Sequence, residues 1–565
     1  MVTFDQYTYN RPNFEEAKER FEGLLTAFKE ADSMEQQSEA IAKINEFRES
    51  FSTQANLAFI RASIDTKDEF YQTERDYFDE VSPQLEELVT AYYKELVSSK
   101  FRNELEEKWG SQLFDLADYS IKAFSPEIIE LMQQENKLSS EYSKLVASAQ
   151  VEFDGKTLTL AQLGPYREST DREIRKQALA ASTQFFAGNE EKFDDLFDKL
   201  VKVRHKIAVT LGYKNFVELG YIRMMRVDYN AEMVKKFRDQ VRDFIVPLAS
   251  KLYERQAERI GVDSLKFYDE SLNFISGNAT PQGSAEWIIE NGSKMYDELS
   301  PETGEFFRFL TDRKLMDVEA KTGKESGGYC TFIEEYNSPF IFSNFNGTSG
   351  DIDVLTHEAG HAFQVYSSRD IGIPEYLWPT FEACEIHSMS MEFFTWPWME
   401  YFFKEQTEKY KFAHLSGALQ FLPYGVAVDE FQHEIYENPE MTPTERKAAW
   451  SKIESIYLPH RDFDGNSYLE AGGFWQRQGH IYNSPFYYID YTLAQICAFQ
   501  FWKRSREDQE SAWKDYLHLC QLGGSKSFTK LVAEANLISP FEEGCVESVI
   551  GTIEDYLNSV DDKNL

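Results

Sequence analysis

Apolar side chains recur along most of this chain at intervals of three and four residues, the spacing that gathers them on one face of an α-helix. Near the start, Phe14, Ala17, Phe21, Leu24, Leu25 and Phe28 mark such a face, and Asn13 with Glu16 three residues on makes a capping-box-like start. The same period returns through 86–96, 127–145 and 194–211, so these stretches predict helices whose aromatic and leucine stripes are core. Two regions break the rhythm. The run V-E-F-D-G-K-T-L-T-L from Val151 to Leu160 alternates around Asp154-Gly155 and predicts a β-hairpin, with Gly164-Pro165 after it as a turn and lobe boundary. The second break, Gly327 to Phe345, reads Y-C-T-F-I, a turn at Tyr336–Pro339, then F-I-F-S-N-F, which predicts two strands. Such a hairpin is either structural or an edge to which an extended peptide can add. No fixed-period repeat and no low-complexity linker interrupts the chain.

The helical period resumes behind Thr348, Ser349, Gly350 and Asp351, all good capping residues, with Ile352, Leu355, Ala359, Ala362, Phe363 and Tyr366 in register. Inside this helix lies T-H-E-A-G-H. His357 and His361 share a face four positions apart, so both can donate a nitrogen lone pair to one Zn²⁺, and Glu358 stands where a general base for an attacking water would stand. With nine histidines in 565 residues, composition gives roughly 0.02 chance occurrences of H-E-x-x-H. A catalytic tetrahedron needs a third protein ligand and an open fourth position. The next long helical segment, from Phe381 to Glu392, offers Glu382, Glu385 and Glu392, three and seven residues apart on one face. Spacing leaves Glu382 and Glu385 equally eligible as ligand, and leaves Glu392, Asp351 and Asp353 as candidates to orient a ligand histidine through its ring N–H.

Composition narrows the class of protein. A chain of 565 residues exceeds what one core usually supports, so two or more lobes are expected, which we divide at 1–190 and 191–565. The formal charge of −37 repels nucleic acid and anionic membrane surfaces. The first thirty residues carry Asp5, Glu15, Glu16 and Glu19 with no apolar run, and no later run reaches membrane-spanning length; Phe393 to Phe403 is short and contains Pro397 and Glu400. Five scattered cysteines, Cys330, Cys384, Cys497, Cys520 and Cys545, suit free thiols, so a cytoplasmic location is expected.

H-E-A-G-H followed by E-I-H-S-M-S-M-E resembles the H-E-x-G-H and E-x-x-S-x-x-x-E pair of the thimet oligopeptidase and oligoendopeptidase F family of zinc peptidases, and within it the bacterial Pz-peptidase-like members. The resemblance implies that Glu385, the first glutamate of the second block, is the third ligand beside His357 and His361. A third block, G-H-I-Y-N-S-P-F-Y-Y-I-D-Y from Gly479 to Tyr491, is similar to the segment with which those enzymes hold the substrate carbonyl, and implies roles for His480, Tyr488 and Tyr491. It is about one residue shorter than the thimet oligopeptidase version, so Pro485 stands where that version has a tyrosine, and Tyr482 and Tyr487 are possible substitutes. The family fold implied is a mainly α, bilobal helical shell enclosing a deep channel, with a small β-sheet beside a zincin-type metal helix.

Together these readings describe a zinc metalloendopeptidase, one Zn²⁺ per chain, that cuts internal bonds of short oligopeptides with Glu358 as general base. A helical metallocarboxypeptidase is the alternative enzyme; it would need a fixed cation near the metal for the terminal carboxylate. A non-catalytic, zinc-stabilised peptide-binding protein is the alternative from another class, and the presence of Glu358 argues against it. Substrate pairing is expected along the strand edge near Phe340 to Phe345. Cleavage preference, the physiological peptide and the oligomeric state leave no trace in the sequence.

Overall fold

The computed structural model describes residues 2–565, and its N-terminal half is a run of helices placed where the apolar period puts them. Helix α1 (Phe14–Glu30) starts on the Asn13 side chain, which accepts from the backbone N–H groups of Glu15 and Glu16, and buries Phe21, Leu25 and Phe28. It packs on α2 (Met34–Ile64) and α3 (Glu69–Val97). The 86–96 pattern is only the second half of α3: the helix continues N-terminally through Pro83, where the charged sequence and the missing N–H hide it. Helices α4 (Ser111–Ala123) and α5 (Ile129–Ala147) follow. A compact core that includes Phe21, Ile44, Tyr92 and Leu113 is closed by Ile373 and Tyr376, so this helical group is fastened to the segment that follows the histidine-bearing helix.

The predicted hairpin is present as β1 (Val151–Phe153) and β2 (Lys156–Leu158), joined through Asp154 and Gly155, both with left-handed φ (51° and 70°), as a two-residue turn matching strand twist demands. Gly164-Pro165 differs from expectation. It does not turn the chain but opens the one-turn helix α6 (Gly164–Arg167), where proline in the first turn forgoes no hydrogen bond. Helix α7 (Glu190–Thr210) then joins α5 in the main core.

The second β region is a three-stranded sheet. Besides β4 (Tyr329–Ile333) and β5 (Ser338–Phe345) it contains β3 (Met316–Glu319), a short, partly exposed strand without an alternating signature. The order is β3-β5-β4, with β3 parallel and β4 antiparallel to β5. Because β5 is central and all of it but Asn344 is buried, its edges are already used. The expectation that a peptide pairs near Phe340 to Phe345 is therefore corrected: β4 is the strand with a free edge beside the cavity.

Directly after β5 comes α8 (Gly350–Ser368), then α9 (Phe381–Phe394), α10 (Thr407–Glu437), α11 (Gly479–Asn483) and α12 (Tyr488–Glu507). The start of α8 is held by Asp351, whose carboxylate accepts from the backbone N–H groups of Asn346 and Gly347, 2.8 Å each. Helix α9 is sandwiched between α8 and α12. The close approach of α8 and α9 is decided at Gly360: a Cβ there would lie 2.6 Å from both the His387 carbonyl oxygen and the Ser388 Cα. Among the described residues, no helix is long and apolar enough to cross a membrane.

Candidate active site

Helices α8 and α9 face one another along the His357, His361 and Glu385 side chains. With a four-residue step the two imidazoles stand on one face of α8, ring centroids 5.0 Å apart, and their Nε2 atoms converge on Glu385 Oε2 at 3.2 and 3.3 Å. One ligand atom from each residue falls within a 4.8 Å cluster. Glu382, one turn earlier on α9, does not join it; its Oε1 accepts from the Thr380 hydroxyl at 2.9 Å, and the charge of Arg226 acts on it against burial.

The partners of this cluster orient it for a cation. Glu392 Oε1 accepts from His357 Nδ1 at 2.7 Å, which leaves the Nε2 lone pair free on the Glu385 side. The other Glu392 oxygen accepts from His414 Nε2 at 2.8 Å, and His414 Nδ1 accepts from the Trp396 indole at 3.1 Å, so one tautomer runs through the whole chain. Asp351 and Asp353 do not orient a ligand: Asp351 caps α8, and Asp353 accepts from the Tyr410 hydroxyl at 2.7 Å. Glu385 itself accepts from Ser388 Oγ at 2.8 Å and from the Tyr487 hydroxyl at 2.5 Å. Burial alone would push the His357 imidazole down, yet Glu385 and Glu392 together hold it well above its ordinary range. Carboxylates outweigh fixed cations here, and a divalent ion bound between two ring nitrogens and one carboxylate oxygen fits both the geometry and the charge.

Glu358 projects from the same helix but is not drawn into this network. It is buried, its Oε2 has no hydrogen-bond partner, and burial raises its carboxyl pKa against the opposing pull of His357 and His361. Its Oε1 lies against Gly328 at the start of β4, where a Cβ would come within 3.2 Å of it.

The predicted third block supplies a second chain of hydrogen bonds. The Tyr424 hydroxyl donates to Gln478 Oε1 (2.8 Å), Gln478 Nε2 donates to His480 Nδ1 (2.8 Å), and His480 Nε2 lies 3.0 Å from the Tyr491 hydroxyl. If Gln478 donates to Nδ1, His480 must carry its proton on Nε2 and donate to Tyr491, so the Tyr491 O–H is free to donate onward. Burial pushes His480 down to about 4, so the ring is neutral near pH 7. Tyr488 packs edge-on against Tyr491 and His480, lining an adjoining cavity and not the main one. Tyr482 is turned away, stacked on Tyr142 at 3.9 Å in the core. Sequence reading missed the Glu385 contact of Tyr487, the Gln478–Tyr424 support and the His414–Trp396 extension; only Ser388, one turn after Glu385 on the same helix, had a local signal.

These groups line a cavity of about 1180 Å³. One wall comes from the N-terminal helices, through Phe59, Arg75, Asp79 and Tyr142, and another from the β4 edge, Gly327 to Thr331. The histidines, Glu358, Glu385, His480, Tyr487 and Tyr491 stand together on it. Cys330 and Cys384 also line it, both thiols pushed up by burial, while Cys497, Cys520 and Cys545 are buried in the core. His387 is fully buried and does not line the cavity, and burial pushes its imidazole down to about 4.

Comparison with known proteins agrees with this architecture. A family model described as Peptidase M3 N-terminal domain matches residues 4–124, and one described as Peptidase family M3 matches 165–277 and 301–549. A solved structure of Pz peptidase A with an inhibitor is 65% identical with a TM-score of 0.99, covering 99% of this chain and 100% of that one. A structure assigned to oligoendopeptidase F from Bacillus anthracis is 57% identical, with a TM-score of 0.95 and both chains covered in full. Among curated proteins, an oligoendopeptidase F homolog of Borreliella burgdorferi is 26% identical over 423 residues, 70% of this chain and 69% of its own. The helical shell with its small sheet is the fold these structures share.

Proposed function

The chain belongs to peptidase family M3, and on that premise we propose that it is a zinc-dependent endopeptidase acting on internal bonds of short oligopeptides. The observation that carries this reading is the convergence of two imidazole Nε2 atoms on one Glu385 oxygen, with an unpartnered Glu358 oxygen beside them, in a cavity roomy enough for an extended peptide. His357, His361 and Glu385 would hold one Zn²⁺, and when bound that ion supplies Lewis-acid polarisation of a carbonyl and a water of lowered pKa.

The chain's own residues do the rest. Glu358 takes the proton of the attacking water and passes it to the departing amine; its free oxygen has no competing donor to neutralise it. Tyr491, its hydroxyl proton released by the His480 bond, donates to the carbonyl oxygen as that atom gains charge. His480 is a neutral donor throughout, since its ring protonates only near pH 4. Tyr487 fixes the Glu385 carboxylate, and Tyr488 keeps the His480–Tyr491 pair in place by packing. The outer edge of β4 gives the peptide main chain a strand to pair with, so most side chains of the substrate go unread. The walls around the cavity restrict entry to extended chains of roughly 5 to 20 residues. Five free cysteines support a cytoplasmic setting.

A mass-spectrometric digest of a mixed peptide library, with and without chelator, tests the reading. Internal cuts that vanish with chelator and return with Zn²⁺ are expected. Release of single C-terminal residues alone would make the protein a carboxypeptidase instead. A quenched peptide should be cut far faster than the same sequence in an exposed loop of a stable protein; equal rates would mean an open cleft.

A further inference from the structure

Four cationic side chains line the main cavity, and three of them are already neutralised. Arg75 pairs with Glu325 at 2.6 Å, Arg223 with Glu135 at 2.8 Å, and Lys526 with Glu534. Arg477 is the exception. Among the described residues it has no carboxylate within 4 Å and no hydrogen-bond acceptor; its guanidinium lies 5.1 Å from the Phe474 ring. Arg477 is an exposed side chain, and it is set apart from the other three cations of this wall by having no acid beside it. A guanidinium with open N–H donors attracts an anion, and its planar fork matches a carboxylate.

The position is fixed with respect to the chemistry. Arg477 ends the short helix Phe474–Arg477, and the next residue is Gln478, the link between Tyr424 and His480. The Arg477 backbone is therefore tied to the segment whose His480 bonds the Tyr491 hydroxyl.

We propose that Arg477 is a carboxylate-binding subsite that anchors the peptide substrate, by its C-terminal carboxylate or by an acidic side chain, and so sets which bond reaches the metal residues. This rests on the peptidase reading above. The chemistry needs no new step; the subsite contributes a charge-assisted, bidentate hydrogen bond to binding.

The test separates binding from turnover by using Glu358→Gln loaded with Zn²⁺, which holds peptide uncut. A peptide without acidic side chains is prepared as the free acid and as the carboxamide, and a second series of carboxamides carries one glutamate moved along the sequence. With Arg477 present, the free acid, or one glutamate position, should bind about tenfold or more tighter than the plain carboxamide. The advantage should vanish in Arg477→Gln and be partly restored in Arg477→Lys, with zinc content and circular dichroism unchanged. Advantage in the first arm identifies the terminal carboxylate, and in the second an acidic side chain. Equal affinities for all peptides, or an advantage that survives Arg477→Gln, would overturn the proposal. In the active protein, amidation should also blur the position of cleavage; loss of all cleavage by the zinc-loaded wild type would instead sink the peptidase reading.

Discussion

Glu382 and Glu385 stand one turn apart on α9, each 1% exposed, yet they belong to two buried charge clusters of opposite design. Around Glu385 the protein places His357, His361, Glu392 and Glu358 and supplies no arginine or lysine, so the negative charge meets no fixed cation from within the fold. Around Glu382 the cluster is closed from within. Arg226 donates to Asp490 at 2.7 Å and to the Phe486 carbonyl at 2.6 Å, and Arg238 pairs with Asp429 at 2.5 Å. The second cluster is scaffold, and its task is visible at Phe486, a buried residue with left-handed φ (67°), gripped by Arg226 at its carbonyl and by Gln432 at its N–H. That strained turn aims Tyr487 at Glu385. Carboxylates met by arginines from within the fold build a wall; carboxylates and imidazoles with no arginine or lysine among them line the cavity as a site.

The sharpest way to break this comparison is to swap the roles of the two glutamates. Glu385→Ala should lose both bound Zn²⁺ and turnover, while Glu382→Ala keeps the metal; a zinc assay with the opposite result would reverse the assignment. Glu358→Gln should keep the metal and lose turnover by about 10²- to 10⁴-fold, the range a general base provides. In the scaffold cluster the loss should register in folding. Arg226→Met leaves Asp490 buried without its partner and should lower stability by about 3–5 kcal/mol in a denaturant titration; a change within error would mean the cluster is not structural. Tyr491→Phe should reduce kcat by about 10²-fold with KM nearly unchanged, and an unchanged kcat would move the donor role to another hydroxyl.

Gly360 lies on the joint between α8 and α9, so a change there should affect folding and metal together. Gly360→Ala forces the helices apart or strains them, with about 1–3 kcal/mol lost and weaker zinc retention measured by chelator competition. The smallest effect is one of pH. Burial raises Glu382 to about 7 from an ordinary 4.5, in interaction with Asp490. A carboxyl raised in the folded state stabilises fully below its unfolded pKa, and that contribution is lost as pH rises through about 7. Glu382→Gln, which cannot ionise, should therefore flatten the decline in thermal midpoint across that window; parallel curves for the two proteins would remove Glu382 as its source.

What the sequence by itself determined is what local period can carry. The helices of the N-terminal half, the Asp154-Gly155 turn, and the placement of His357, His361 and Glu358 on one helix followed by Glu385 and Glu392 on the next all arise from contacts within a few residues, where the 3.6-residue repeat and turn chemistry act directly. Pro83 and Gly164-Pro165 show the limit of that reasoning, because a residue that ends helices in isolation is carried along or placed in a first turn by its surroundings. Tertiary structure decided the rest. Which of two glutamates meets the histidines depends on how α9 is rotated against α8, and Gly360 sets that approach by lacking a side chain. Which strand has a free edge depends on β3, a short strand that no alternation betrays, pairing with β5 and leaving β4 open. His414, Tyr424, Gln478 and Arg477 gained their places from packing between segments far apart in the chain. Charge balance around a side chain is a sum over neighbours in space, and spacing along the sequence does not contain that sum.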